Sequence, residues 1–356
     1  MQDNEKKQLM TIVVAVAAII VIIIGLKVVK SFLPSSQDKA KSKSDSVSIA
    51  LVGNVNMSKK LVTRYNDMKL SGFVSDSISS KIKDADIGIM NQCFTISAYT
   101  APNNTVSDNF HIIRELGINM VSLSNNYIKP NASYITKSTI EELNSAEVRH
   151  SGAGEDMDSA SDAAVIECNG KKIGLLSVCY GDPSATGCAV NATSHEKGAQ
   201  GIYIDNSSDN ICYNIKRAKK ACDFLILSIS WGDDSSTEPS ADQRKMAKEF
   251  IDAGCDTVVG CSNLVQGIQF YKDKPIIYSI GNFLNTDYHA KSEMIELTVK
   301  HNNSIELFVN GCTTEAYNTR ALDGSAKDQF IKNLTNMSYD VIIDSNGRVT
   351  QKPKKE

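Results

Sequence analysis

From Val47 to Val309, short apolar runs alternate with amphipathic stretches and turn signals. This rhythm restricts the chain to an α/β domain, bordering on α+β, with mixed sheets. Val47–Val52, Ile87–Met90, Asn119–Leu123, Phe224–Ile229, Thr257–Val259, Ile268–Tyr271 and Pro275–Ile280 read as strands, each a short apolar run bounded by polar or turn-forming residues. Ser133–Asn144 puts Ile140 and Leu143 on one helical face, and His111–Leu116 ends a helical pattern at Gly117. Asp209–Ala221 predicts a helix with Asp209 as N-cap, and Ala241–Ala253 a helix stopped by Gly254. Asn169-Gly170, between Ala163–Glu167 and Lys172–Val178, is a type I′ hairpin signal. Met294–Val299 and Ile305–Val309 pair across a second turn.

Ahead of this domain, Gln8 to Leu26 carry no charge and are mostly Ile, Val and Ala. A helix of that length spans roughly 28 Å, one hydrocarbon core. No small-residue cleavage site follows Leu26, so a retained single-pass transmembrane helix is expected rather than a signal peptide. The expected organisation is a tail at 1–8, a membrane anchor at 9–30, a polar linker at 31–46, the folded domain at 47–350 and a basic tail at 351–356. Lys6 and Lys7 precede the span, whereas Lys27, Lys30, Lys39, Lys41 and Lys43 follow it. Counted alone, these lysines favour a cytoplasmic domain. The nine irregularly spaced cysteines do not form a disulfide framework, which fits a reducing side or an anaerobic exterior. A net charge of −3 leaves no footprint for nucleic acid as a partner.

The chemistry-bearing motifs occur in a fixed order: Val52-Gly53-Asn54, Ala85-Asp86 through Asn91-Gln92-Cys93, Gly117 through Asn125-Asn126-Tyr127, Gly152-Ala153-Gly154, Ser230-Trp231-Gly232 with Gln243 beyond it, and Gly254-Cys255-Asp256 through Gly260-Cys261-Ser262-Asn263-Leu264. The last runs on through Val265-Gln266-Gly267-Ile268 to Tyr278-Ser279-Ile280-Gly281-Asn282-Phe283. Together they resemble the poly-γ-glutamate capsule-synthesis family of the CapA type, whose most specific stretch approximates G-x-D-x-V-I-G-x-H-P-H-V followed by a strand and Y-S-L-G-N-F. The resemblance covers about Val47 to Phe283. It implies a metallophosphoesterase-like fold: two packed sheets flanked by helices, with metal ligands at strand ends. It also implies a domain outside the cytoplasmic membrane, which outweighs the lysine count because large C-terminal domains translocate largely regardless of charge.

The residues that would hold the metals are replaced. The family's opening Asp is Asn54, the Glu of its N-L-E is Cys93, the His of N-N-H is Tyr127, and an Asp three places on is Pro130. The His of H-W-G is Ser230, and neither His of H-P-H remains around Cys261–Leu264. Asn offers a neutral carbonyl but not the charge that two close dications require. A thiolate pair of Cys93 and Cys261 is the one zinc alternative, set against two small buried hydrophobes. His111, His150, His195, His289 and His301 fall outside these frames. No metal or other cofactor is therefore expected, and no catalytic residue is assigned.

The expected site is a degenerate pocket built from Asn54, Asn91, Cys93, Asn125, Asn126, Tyr127, Ser230, Trp231, Cys261 and Asn282. Its amides offer uncharged hydrogen-bonding groups, although Asn also serves simply as a turn former. Trp231 fits either a cleft wall or a core aromatic. The resulting expectation is a membrane-anchored, catalytically degenerate accessory or polymer-binding protein of capsule or envelope synthesis. Its expected partners are the membrane and an anionic polymer or envelope-synthesis proteins. The alternative is a divergent metal-dependent hydrolase or an amide ligase or transpeptidase-like enzyme.

Overall fold

The computed structural model describes residues 45–56, 65, 67–93, 107–125, 133–181, 201–284, 289–315 and 317–353. In chain order the strands are β1 (Ser46–Val55), β2 (Ile87–Gln92), β3 (Met120–Ser122), β4 (Arg149–Ser151), β5 (Ala153–Gly154), β6 (Ala164–Cys168), β7 (Lys171–Tyr180), β8 (Gly201–Ile202), β9 (Ile204–Asp205) and β10 (Phe224–Ser230). They continue as β11 (Thr257–Cys261), β12 (Val265–Tyr271), β13 (Lys274–Ile280), β14 (Asn282–Leu284), β15 (Ala290–Lys300), β16 (Ile305–Glu315), β17 (Asn318–Ala321), β18 (Val341–Ile343) and β19 (Arg348–Gln351). The helices are α1 (Asp76–Asp84), α2 (Ser107–Glu115), α3 (Ser133–Ser145), α4 (Met157–Ala160), α5 (Ser208–Lys219), α6 (Ala241–Ala253) and α7 (Gly324–Met337).

Two mixed sheets account for most of these strands. The first runs β18-β19-β16-β15-β1-β2-β3-β4, with β14 also pairing β1 and β17 pairing β16. The second runs β12-β13-β11-β10-β7-β6, with β9 on β7. Because side chains alternate along a strand, β1 serves two cores at once. Val47, Ile49 and Leu51 meet Ile173, Phe224, Ile226 and Ile277 of the other sheet. Ala50 and Val52 face outward, where Ile78 and Ile82 of α1 and Ile112 and Leu116 of α2 cover them. On the far side of the second sheet, Leu225, Leu227 and Ile229 pack against Ile211 and Ile215 of α5 and Phe250 of α6. The result is four layers, helix–sheet–sheet–helix, of mixed α/β character.

Several motif letters explain themselves as scaffold. Asp86 accepts hydrogen bonds from both the backbone N and the hydroxyl of Ser48, at 2.9 and 2.7 Å, and so ties the start of β2 to β1. Asp256 is buried; it accepts from Leu225 N and is bridged by Lys219 at 2.6 Å and Lys274 at 2.9 Å. Gln243 and Ser240 form a reciprocal capping box at the start of α6.

The strand and helix expectations hold in type and differ at their ends. Asn169 and Gly170 have φ of 51° and 75°, the left-handed pair a type I′ turn demands, and they join β6 to β7. The N-cap of α5 is Ser207 rather than Asp209: the Ser207 hydroxyl accepts from Asn210 N, while Asp209 lies in the first turn, where its charge suits the helix dipole. Helix α1 escaped the sequence reading because only Ile78 and Ile82 mark its buried face amid Ser, Lys and Asp. Helix α7 escaped it because it opens on Gly324, a poor helix former. Ser46 and Gln351, assigned to linker and tail, are strand residues paired with Lys300 and Val341. Among the described residues no helix is long and apolar enough to cross a membrane, and the candidate span at 9–30 lies outside them.

Glu293 lies within β15 at 0% exposure, and neither carboxyl oxygen has a hydrogen-bond partner among the described residues. Burial pushes its carboxyl well above the ordinary 4.5. A raised carboxyl pKa means the folded state holds a proton that the unfolded state releases, so its contribution is fully present below the unfolded value and is lost as pH rises toward the folded value. Chemical denaturation of wild type and Glu293→Gln from about pH 5 to about pH 8 should show wild type losing stability relative to the variant as pH rises. Parallel stability curves would mean that Glu293 holds no extra proton in the fold.

Candidate functional site

The geometry of the candidate site starts from Gly53. A Cβ there would lie 1.9 Å from the Gly281 carbonyl oxygen, so only glycine lets β1 and the β13–β14 junction approach this closely. Asn54 N donates to that same carbonyl at 3.0 Å. The contact sets a register in which Asn54 lies beside Asn282 of β14 on one side and Asn91 of β2 on the other. Three asparagines from three parallel strands thus stand in one row. They are buried, at 2%, 1% and 3% exposure.

Their side chains bond to one another in a single direction. Asn125 Nδ2 donates to Asn91 Oδ1 at 3.4 Å, Asn91 Nδ2 to Asn54 Oδ1 at 2.7 Å, Asn54 Nδ2 to Asn282 Oδ1 at 2.9 Å, and Asn282 Nδ2 to Asn263 Oδ1 at 3.3 Å. Two backbone carbonyls fix the orientation of the amides, since a carbonyl only accepts. Gln92 O takes Asn125 Nδ2 at 2.7 Å, and Ser262 O takes Asn54 Nδ2 at 3.1 Å. The series crosses from the first sheet to the β11–β12 loop of the second, so it is also a polar bridge between the sheets. Hydrogen bonds aligned head to tail polarise one another and strengthen the set.

Cys93 and Cys261 flank this bridge as buried thiols. Burial pushes Cys93 well above its ordinary value, and the nearby Cys261 and Asp234 push it further. Burial raises Cys261 to about 11, against a weaker lowering by the Ser228 hydroxyl 3.6 Å from its sulfur. Both therefore stand as neutral thiols near pH 7. Ser230 ends β10 in register with Cys261 on one neighbouring strand and Cys179 on the other. Among the described residues no group of three His, Cys, Asp or Glu side chains is arranged to hold a metal ion.

Asn54, Asn91, Cys93, Asn125, Cys261 and Asn282 thus meet at one end of the sandwich, with Ser230 on the strand next to Cys261. Trp231 does not join them. It lies in the outer core between Phe250 and Tyr278, at centroid distances of 6.3 and 6.2 Å, and its Nε1 donates to Tyr278 O at 3.0 Å. Gly260 makes room for it, because a Cβ there would sit 2.5 Å from that nitrogen. Asn126 and Tyr127 lie outside the described residues. Sequence reasoning did not single out Asn263 and Ser262 as participants, nor Asp234, whose carboxylate accepts from Asn263 N at 3.3 Å. The pair Asp233-Asp234 just beyond Gly232 was the available signal.

A mixed α/β sandwich with polar residues gathered at parallel strand ends defines a class of site-bearing scaffold. The family model described as bacterial capsule synthesis protein PGA_cap matches residues 48–287, and the chain belongs to that family. It is similar to the capsule biosynthesis protein CapA of Bacillus anthracis, at 25% identity over 254 residues covering 67% of this chain and 60% of that protein. It is also similar to the PGA biosynthesis protein CapA of Bacillus subtilis strain 168, at 25% identity over 182 residues covering 51% and 46% of the two chains. The chain therefore spans about half to three-fifths of the length of these curated relatives. The crystal structure of TT1561 of Thermus thermophilus covers 74% of this chain and 98% of that one at 9% identity and a TM-score of 0.37, too distant to support an argument.

The buried series makes a definite demand on Asn54. An aspartate there would present an oxygen in place of Nδ2 to Ser262 O and Asn282 Oδ1, leaving acceptors facing acceptors. Asn54→Asp should cost on the order of 2–3 kcal/mol in urea denaturation. The loss should grow as pH rises, since the new carboxyl would be protonated only at low pH. A variant as stable as wild type at neutral pH would contradict the hydrogen-bonded series.

Proposed function

We propose that this chain is a membrane-anchored accessory protein of capsule or cell-envelope polymer synthesis, of the poly-γ-glutamate type, that works without metal-dependent hydrolysis. Family membership and the names of the relatives support the capsule role. The two-sheet sandwich is read as metallophosphoesterase-like, with the ancestral metal position at the strand ends around Asn54. The observation that carries the non-hydrolytic reading is the closed amide series itself.

The residues at that position do not fit a binuclear centre. Two divalent ions about 3.5–4 Å apart repel strongly and need anionic ligands to offset the repulsion. Asn54, Asn91 and Asn282 are neutral, and each already spends its carbonyl oxygen on a neighbouring amide. Cys93 and Cys261 are held as thiols by burial. No hydrolytic step is therefore derived. What the frame retains is a rigid strand-end platform, and contact with polymer or partner proteins falls to the surfaces around it.

Elemental analysis of the purified full chain, paired with phosphoester and γ-glutamyl hydrolysis screens, tests this reading. The expected result is well below one equivalent of manganese or zinc and no metal-dependent turnover, with Asn54→Asp recovering neither. One or two bound equivalents, lost together with an activity on mutating Asn54, Asn91 or Cys93, would establish the divergent-hydrolase alternative instead. The anchor and its orientation have a separate test. Protease added to intact, wall-stripped cells should remove the folded domain, whereas complete protection would assign it to the cytoplasm.

A further inference from the structure

The β11–β12 loop has two sides. On one, Ser262 O accepts from Asn54 and Asn263 Oδ1 accepts from Asn282. On the other, Leu264 and Val265 turn into a separate surface groove of about 530 Å³, closed by Phe330 and Met337 of α7. The groove is built into the fold rather than left between loops. Gly311 of β16 leaves the place of its Cβ to the Phe330 ring, 2.5 Å away, so the ring packs closely on that strand and lines the groove. Val265 and Phe330 are buried at 6% exposure each, and the rim residues Lys291 and Asn336 are exposed.

Among the described residues the lining holds Lys291, which is exposed and enters no ion pair, and no Asp or Glu. His289 also lines the groove, 3.5 Å from Glu315, which is not among the lining residues. An apolar floor beside a lysine with no acidic partner among the described residues is an arrangement that binds an apolar body carrying one negative charge. Asn336 and the hydroxyl of Thr237 add neutral hydrogen-bonding groups around that charge.

We propose that this groove is a binding site for a small organic anion with an aromatic or branched apolar body, its charged group at Lys291 and its body on Phe330 and Val265. The site is distinct from the asparagine row and does not rest on the capsule reading.

Equilibrium dialysis of the full chain against anilinonaphthalene sulfonate, with the uncharged phenylnaphthylamine as comparison, tests the proposal. The sulfonate should show a saturable phase near one equivalent. Asn336→Trp, which fills the groove from an exposed position, should abolish that phase. Lys291→Glu should weaken the sulfonate roughly five- to tenfold and leave the neutral compound unchanged. Superimposable isotherms for wild type and Asn336→Trp would overturn the site. Loss in Asn336→Trp without any effect of Lys291→Glu would overturn its preference for an anion.

Discussion

The strand ends around Asn54 are held by the head-to-tail amide series from Asn125 through Asn91, Asn54 and Asn282 to Asn263. Burying a carboxamide without partners costs several kcal/mol, so four buried ones in one place are tolerable only if each finds a partner, the last of them in the half-buried Asn263. The close approach of Gly53 to the Gly281 carbonyl is what makes this satisfaction geometric. It sets strands β14, β1 and β2 in a register that lines up Asn282, Asn54 and Asn91. A one-residue slip of any of these strands would turn its asparagine to the opposite face.

At these strand ends the asparagine side chains bond directly to one another. The two sheets remain joined, through Asn54 to Ser262 O and through Asn282 to Asn263. A second polar seam lies nearby: the Ser122 and Ser177 hydroxyls meet at 2.6 Å, and Ser177 also accepts from Ser124 N, linking β3 to β7. Neutral side-chain hydrogen bonds thus staple the sheets at this end, whereas Asp86 and Asp256 tie neighbouring strands elsewhere with charged groups.

Much of this was legible in the chain. Strand runs such as Phe224–Ser230 announce themselves because they are buried on both faces and so are mostly apolar, with Ser228 and Ser230 the exceptions. Gly53, Asp86, Gly254 and Asp256 were readable as family letters, and the structure gives each a mechanical reason, Gly254 ending α6 at a φ of 122°. The asparagines were readable as a set but not as a bonded series, because the partner of each amide depends on a register set by contacts more than two hundred residues apart, as between Asn54 and Asn282. The same holds for Trp231. Whether it walled a cleft or entered the core depended on the space at Gly260 and on Tyr278 O, neither of which a local window reports. The groove under α7 was invisible for a related reason: Gly311 and Phe330 meet only after β16 and α7 have packed.

The central claim is that a buried, self-satisfied amide series occupies the strand ends and joins the sheets there. Its most direct test is solution NMR of the side-chain amide protons of Asn54 and Asn91, specifically labelled, followed through exchange with deuterated water. The claim predicts slow exchange on the scale of global unfolding, unchanged by a strong chelator or by added manganese or zinc. Rapid exchange, or resonances that shift and lose protection when a chelator is added, would show that the strand ends are open or held by a metal and would contradict it.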